Sequence, residues 1–236
     1  MNIIQPNAVL LENPTTGEPF DETAAKNVMR HVERCGRTCY KSEDKITDDS
    51  AERFIANLIR RGHESVLEHF AITVRFTCDR GVTHEIVRHR MASYSQESTR
   101  YCNYGQGKFG SEITVIDLKG GLAMDPTLKN LSAGQLSAIY DEWLLACEDA
   151  EKHYFRMLEL GASPQAARSV LNNSTKADLV ATMNLREWRH FFRLRCDPAA
   201  HPQMREVALI LFEKMRGLMP PLFNDIAEWL NDLESV

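Results

Sequence analysis

One run of strict alternation, over residues 70–78, constrains the fold more than any other feature of the sequence. Apolar side chains occupy every second position of this run, and polar or small side chains occupy the positions between them. A period of two predicts a β-strand with one buried face. Further strands are predicted over residues 112–118 and 177–183. The chain therefore needs a small antiparallel or mixed sheet.

The rest of the chain is dominated by helical periodicity, with apolar residues three and four positions apart. Predicted helical segments are residues 24–32, 54–59, 82–90, 136–160, 163–170, 185–195, 203–215 and 222–233. The polar, glycine-containing residues 94–109 are predicted to form a loop. The fold class expected is therefore α+β and helix-rich. Because the sequence has no internal repeat and no low-complexity linker, residues 1–236 are expected to form a single domain.

Charge and cysteine content limit the classes of partner. The 28 Lys and Arg residues against 33 Asp and Glu residues give a formal net charge of −5, which supplies no field for a polyanion. We therefore expect no nucleic-acid partner. The first twenty residues have no signal-peptide pattern and no apolar run approaches 18 residues, so a soluble cytoplasmic protein with no membrane contact is expected. Six cysteines without any C-x-x-C pair are expected to be reduced.

Two motifs resemble ligand sites but lack the required context. Residues 105–110 match G-x-G-x-x-G, but they precede a predicted strand instead of following one, so a loop is favoured over a dinucleotide-binding turn. His63-Glu64 begins a zinc-protease pattern, yet Leu67 stands where the second histidine is needed. Capping or hydrogen-bonding histidines are favoured there. The sequence predicts no metal site.

Residues 88–100 form the densest cluster of chemically active side chains. Three arginines, one histidine and three serines lie within these thirteen residues. Guanidinium forks and hydroxyl donors match the geometry of a phosphate dianion. An anion-binding site and a solvated basic loop are both consistent with this composition.

The helix predicted over residues 185–195 carries a second basic cluster. Three of its arginines share one side and are expected to form an exposed stripe: Arg186, Arg189 and Arg193. Arg195 falls instead on the side of the aromatic residues. A buried guanidinium needs a partner, which is either Asp197 or a ligand. The same ambiguity applies to Arg168, which lies among small apolar residues.

A family resemblance rests on these residues. Arg88-His89-Arg90, separated by seven residues from Ser98 and followed by Arg100, resembles the signature of flavin-dependent thymidylate synthases. Residues 62–69, the segment around Arg168 and residues 184–195 support it. The resemblance covers about residues 62–102 and 164–205. It implies that family's fold and FAD as cofactor, with dUMP, 5,10-methylenetetrahydrofolate and NADPH as further ligands.

The resemblance also implies individual roles. The residues expected to bind FAD are His63, Ser65, Arg88, His89, Arg90, Gln96, Asn184, Arg186, His190 and His201. The residues expected to bind dUMP are Glu85, Arg88, Gln96, Ser98, Arg100, Arg168 and Arg195. Arg195 is expected to be the catalytic, activating residue. Glu85 and Gln96 stand where the family pattern has an amide and a carboxylate, respectively.

The family resemblance further implies a homotetramer whose active sites are shared between subunits. Arg88 lies in an early helix-loop block and Arg195 in a late helix block. If these two side chains came from different subunits, inactive variants of each would complement one another when mixed.

The hypothesis is therefore a flavin-dependent methyltransferase that converts dUMP to dTMP. Negative charge developing across N3 and O4 of uracil makes C5 nucleophilic, and Arg195 would stabilise that charge. Ser98 is expected to bind phosphate and not to act as a nucleophile, because the sequence shows no adjacent base. A nucleotide-binding regulatory module and a metal-dependent hydrolase remain alternatives.

Overall fold

The protein folds around a four-stranded antiparallel sheet, as a computed structural model that describes residues 1–12, 17–105, 110 and 112–234 shows. The strands are β1 (Asn2–Ile4), β2 (Asn7–Leu10), β3 (Ala71–Asp79), β4 (Ala92–Gln96), β5 (Thr114–Ile116) and β6 (Lys176–Asn184). The four strands of the main sheet are ordered β2, β3, β6 and β4. In the second sheet β1 pairs with β5 in parallel.

Helices make up most of the remaining described residues. They are α1 (Glu22–Thr38), α2 (Ser50–Arg60), α3 (Arg80–Ile86), α4 (Lys119–Met124), α5 (Ala133–Glu159), α6 (Pro164–Ala167), α7 (Leu185–Arg195), α8 (Pro202–Leu218) and α9 (Pro220–Glu234). A 3₁₀ segment, Glu64–His69, leads from α2 towards β3. The predicted class, helix-rich α+β with a small sheet, is confirmed.

The two central strands have one buried face each, as their alternating sequences require. In β3 the residues from Ile72 to Cys78 at even-numbered positions are buried, and in β6 every second residue from Ala177 to Met183 is buried. The strands pair over their full length, with Val74 opposite Ala181. Helix α7 packs on this face, where Trp188 Nε1 donates a hydrogen bond to the carbonyl of Ile72 at 3.1 Å.

A second, smaller core lies beneath α5. Its buried residues include Tyr154 of α5 and Val115 of β5. No helix among the described residues is long and apolar enough to cross a membrane. The six cysteines form no disulfide bond among the described residues.

The structure differs from the predicted elements at polar or short segments. Residues 94–96 belong to a predicted loop, and no element is predicted for residues 92 and 93. In the structure, residues 92–96 form the edge strand β4, which pairs with β6. Its sequence, Ala-Ser-Tyr-Ser-Gln, has too few apolar residues to reveal a strand. Helix α3 ends at Ile86, so the predicted helix over residues 82–90 is too long. Most of the G-x-G-x-x-G segment, residues 106–109, lies outside the described residues.

Candidate functional site

An arginine-lined groove lies between the turn after α3 and the outer face of α7. It consists of two adjoining cavities of about 720 Å³ and 380 Å³. Both cavities are lined by Met91, Glu187 and His190. The larger cavity is also lined by Val87, Arg88, His89, Arg90, Leu194 and Arg195. The smaller is also lined by Glu64, Glu68, Asn184, Arg186 and Arg193.

The turn that carries the Arg88-His89-Arg90 motif is fixed by its neighbours. The hydroxyl of Tyr94, on β4, donates to the carbonyls of Ile86 at 2.8 Å and His89 at 2.6 Å. These bonds tie the turn to the edge strand that follows it. The side chains of Arg88 and Arg90 are exposed in the groove, whereas His89 is buried.

The other wall of the groove is the first turn of α7. The side chain of Asn184 accepts a hydrogen bond from the backbone N–H of Glu187 at 2.8 Å and caps the helix. Because α7 begins directly at the end of β6, this cap fixes where Arg186, Glu187 and His190 enter the groove. Arg186 Nη1 also donates to Glu68 Oε1 at 2.6 Å.

Arg195, at the end of α7, is held from two sides. Its Nε donates to His89 Nε2 at 3.0 Å, and its Nη1 and Nη2 donate to the carboxylate and carbonyl of Glu85 at 2.7 and 2.9 Å. The need for a partner is thus confirmed. Asp197 is not that partner in the structure, because its Oδ1 instead accepts from the backbone N–H of Ala199 at 2.8 Å.

Arg189 corrects the prediction of an exposed basic stripe on α7. Its side chain is fully buried, whereas Arg186 and Arg193 are exposed. Arg189 donates to both carboxylate oxygens of Asp225 on α9, to Glu64, and to the carbonyl of Leu222. The prediction was wrong because helix periodicity places residues relative to the main core and does not reveal that α9 covers this side of α7.

Three side chains in the groove lie as close together as metal ligands do. One candidate ligand atom from each of His89, Glu187 and His190 lies within 4.8 Å of the others. Both ring nitrogens of His89 are already engaged, Nδ1 with Glu187 at 3.1 Å and Nε2 with Arg195. Both nitrogens through which His89 could bind a metal are therefore used in hydrogen bonds, one of them to the permanently charged guanidinium of Arg195.

Ser98, Arg100 and Arg168 form a second cluster. Arg168 Nη1 donates to the hydroxyl of Thr99 at 3.2 Å, and Arg100 Nε donates to Gln165 at 3.1 Å. The hydroxyl of Ser98 accepts from the backbone N–H of Arg100 at 3.3 Å. Residues 98–100 thus contact α6 and the residue that follows it, and this cluster offers two guanidinium groups and a hydroxyl, which suit an anion.

Along the chain, β4 lies between the Arg88-His89-Arg90 turn and the second cluster. Arg90 precedes β4 and Ser98 follows it. At the usual rise per residue, five strand residues span roughly 16 Å. Gln96, at the end of β4, points its amide towards Thr83, where its Nε2 donates at 3.0 Å.

The remaining predicted site residues lie in different places. His63 and Ser65 are exposed at the start of the 3₁₀ segment Glu64–His69, whose Glu64 and Glu68 line the smaller cavity. His201 immediately precedes α8, close enough to Asp79 and Asp125 to interact with them electrostatically, and it is not among the described residues that line the two cavities.

The early and late blocks of sequence meet within one chain. Arg88 and Arg195 line the same cavity.

Sequence reasoning missed Glu187, although a carboxylate three residues after a capping Asn184 is a recognisable feature of a helix start. It also missed Gln165 and Thr99, because a neutral side chain that orients an arginine has no pattern of its own.

An arginine-lined groove beside a sheet edge, with a separate cluster of hydroxyl and guanidinium donors, has the donor chemistry that suits phosphorylated ligands. Residues 22–221 match the family described as thymidylate synthase complementing protein. The chain belongs to this family, the flavin-dependent thymidylate synthases.

Similar proteins support this membership along most of the chain. A flavin-dependent thymidylate synthase of Corynebacterium efficiens is 33% identical over 211 residues, which are 86% of this chain and 82% of that protein. One from Mycobacterium sp. (strain JLS) is 34% identical over 215 residues, with the same shares covered. The crystal structure of a UMP/dUMP methylase from Streptomyces cacaoi, bound with 5-Br dUMP, has a TM-score of 0.74 and 24% identity, covering 97% of both chains. This likeness confirms the fold.

Proposed function

We propose that the protein is a flavin-dependent thymidylate synthase that methylates dUMP to dTMP. In this proposal 5,10-methylenetetrahydrofolate donates the carbon and NADPH reduces the FAD. One observation carries the proposal beyond family membership: Arg195 is held in the arginine-lined groove by Glu85 and His89. A guanidinium held in this way supports the proposal, because an anionic uracil ring needs a fixed donor.

The donor set of the groove fits FAD. Arg88, Arg90 and Arg186 supply guanidinium groups that match a diphosphate. His190 and Met91 add a ring and an apolar surface suited to a planar ring system. When bound and reduced, FAD supplies the hydride that completes the methyl group.

Arg195 is proposed to activate the uracil ring. Its guanidinium is permanently charged, and it donates in a planar fork that matches N3 and a neighbouring carbonyl oxygen. Its side chain is only 16% exposed, so little water screens the charge. Stabilising negative charge across N3 and O4 makes C5 a better nucleophile.

Ser98, Arg100 and Arg168 are proposed to bind the nucleotide phosphate. Gln165 and Thr99 orient the two guanidinium groups, which reduces the entropy lost on binding. Among its described contacts, the hydroxyl of Ser98 accepts only from a backbone N–H. No general base among the described residues therefore contacts this hydroxyl to activate it.

The assembly is proposed to be a homotetramer with active sites shared between subunits. Along the chain, the Arg88-His89-Arg90 turn of the groove precedes β4, whereas Ser98 and Arg100 of the second cluster follow it. In this proposal, one dUMP molecule takes Arg195 from one subunit and Ser98 from another. We further propose that each chain acts as a single domain.

Purified protein tests the proposal directly. We expect flavin absorbance, and dTMP formation that requires dUMP, 5,10-methylenetetrahydrofolate, NADPH and FAD together, measured by mass spectrometry of the nucleotides. A colourless protein that binds dUMP without turnover would instead identify a regulatory module. Stoichiometric zinc with hydrolysis of a substrate would favour a hydrolase.

A further inference from the structure

A chain of hydrogen bonds leads from Glu187 through His89 to Arg195. His89 Nδ1 lies 3.1 Å from Glu187 Oε1, and His89 Nε2 accepts from Arg195 Nε at 3.0 Å. The imidazole is almost inaccessible, with 2% of its side chain exposed. The imidazole packs against the ring of Phe191, with 5.0 Å between ring centroids, and against the ring of His190, with 5.7 Å between centroids.

The direction of these hydrogen bonds is fixed by chemistry. The Nε–H of an arginine can only donate, so His89 Nε2 must be the unprotonated nitrogen. The proton of the neutral ring is then on Nδ1, and the carboxylate of Glu187 accepts it. Glu187, Arg195 and His190 are the charged or titratable side chains facing this ring, and Tyr94 donates to its backbone carbonyl. Burial lowers the pKa of His89, which favours the same neutral form.

This arrangement leaves part of Arg195 free. Of its five N–H groups, one bonds to His89 and two bond to Glu85. Among the described residues, one N–H on each Nη has no acceptor and remains for a ligand. Because the Nε–H lies in the guanidinium plane and is bonded to His89, the plane cannot rotate without breaking that hydrogen bond.

We propose that His89 and Glu187 are positioning residues for Arg195. Glu187 selects the tautomer of His89, and His89 orients the guanidinium plane that receives the uracil ring. The inference rests on the proposed function for what Arg195 does. It differs from the role that family resemblance gives His89, which is direct contact with FAD.

A double-mutant cycle separates the two roles. If His89 acts through Arg195, His89→Ala lowers the rate of dTMP formation at saturating substrates by about 10–100-fold, the cost of a misplaced catalytic group. In an Arg195→Lys background the same substitution then costs less than roughly threefold, because the group it positions is gone. The Kd for FAD, measured by fluorescence titration, stays within roughly threefold of wild type throughout.

Conservative variants extend the test. His89→Gln offers an amide oxygen near the position of Nε2, so it is expected to restore most of the rate lost in His89→Ala. Glu187→Ala attacks the chain from its other end and covers the case in which His89→Ala fails to fold. His153→Asn, an exposed histidine on α5, is the matched control and should leave the rate unchanged.

Two results would overturn the inference. In the first, the fold-losses in rate of the two single variants multiply in the double variant, and FAD binds more weakly, which would assign His89 to the cofactor. The other is a rate for His89→Ala equal to that of wild type. If the wild-type protein makes no dTMP, the proposed function fails, and the same cycle is read on the Kd for dUMP by calorimetry, where non-additivity between His89 and Arg195 still decides the positioning claim.

Discussion

Arg195 and Glu85 form an ion pair of 2.7 Å between Nη1 and Oε2, which joins the end of α7 to α3 across 110 residues of sequence. The Glu85 side chain is 42% exposed. Its carboxylate offsets the positive charge of the guanidinium proposed to stabilise the uracil anion. Family resemblance places an amide at this position, so this chain differs from the family pattern at a residue that contacts Arg195.

Replacing Glu85 with glutamine is expected to strengthen nucleotide binding. The amide keeps a hydrogen bond to Arg195 but removes one negative charge from the site of an anionic nucleotide. The interaction of two unit charges about 4 Å apart in water, about 1 kcal/mol or fivefold in the Kd for dUMP, sets the upper limit of the gain. Calorimetric titration measures the Kd, and raised salt should shrink the difference. Weaker binding by Glu85→Gln would show that the carboxylate contributes through positioning alone.

Ser98→Ala is expected to separate binding from chemistry. Losing a hydrogen bond to a charged phosphate should raise the Kd for dUMP about tenfold or more, while the rate at saturating dUMP stays near that of wild type. Ser95→Ala, an exposed serine on the neighbouring strand β4, serves as the control. Loss of turnover with unchanged affinity would assign Ser98 a covalent role.

Mixed variants test the shared site. Arg195→Ala inactivates the groove, and Arg100→Ala inactivates the second cluster, which consists of Ser98, Arg100 and Arg168. If each site takes its groove from one subunit and its cluster from another, about a quarter of the sites in co-refolded equal mixtures combine two intact parts. Steady-state dTMP production should rise from near zero to that fraction. A mixture of Arg195→Ala with Arg88→Ala is the control: both residues line one cavity of the same chain, and no site is restored. Equal activity in both mixtures would contradict the shared arrangement.

Glu206, on α8, couples stability to pH. Its side chain packs against Gly120 of α4, where an added Cβ would collide with the carboxylate, and its Oε2 has no hydrogen-bond partner among the described residues. Burial first, and then the charges of Asp117 and Asp79, raise the pKa of Glu206 to about 7 from 4.5. The folded state therefore binds more protons than the unfolded state between these values, and the free energy of unfolding falls as pH rises through them.

Glu206→Gln is expected to remove this pH dependence. At pH 8 the variant should be more stable than wild type by about 1–3 kcal/mol, and the difference should vanish below about pH 4.5. Urea unfolding at several pH values measures it. Glu213→Gln, an exposed position on the same helix, should change stability little at any pH. A constant difference across pH would show that Glu206 does not titrate in this range.

Sequence reasoning succeeded where one face of an element is buried. The alternation of residues 70–78 predicts β3, and the aromatic side of residues 185–195 predicts the inward direction of Arg195. It failed where contacts depend on distant elements. The partner of Arg195 comes from α3, and the burial of Arg189 comes from α9, neither of which local periodicity can indicate. Polar β4 is a strand because β6 offers it a free edge.

The central claim is that Arg195 activates the uracil ring, and Arg195→Lys tests it most directly. A lysine keeps the charge but loses the planar fork and the Nε–H that His89 accepts. We expect dTMP formation under saturating substrates to fall by about 10²–10³-fold, with FAD affinity and assembly mass unchanged. A rate within roughly threefold of wild type would contradict the account.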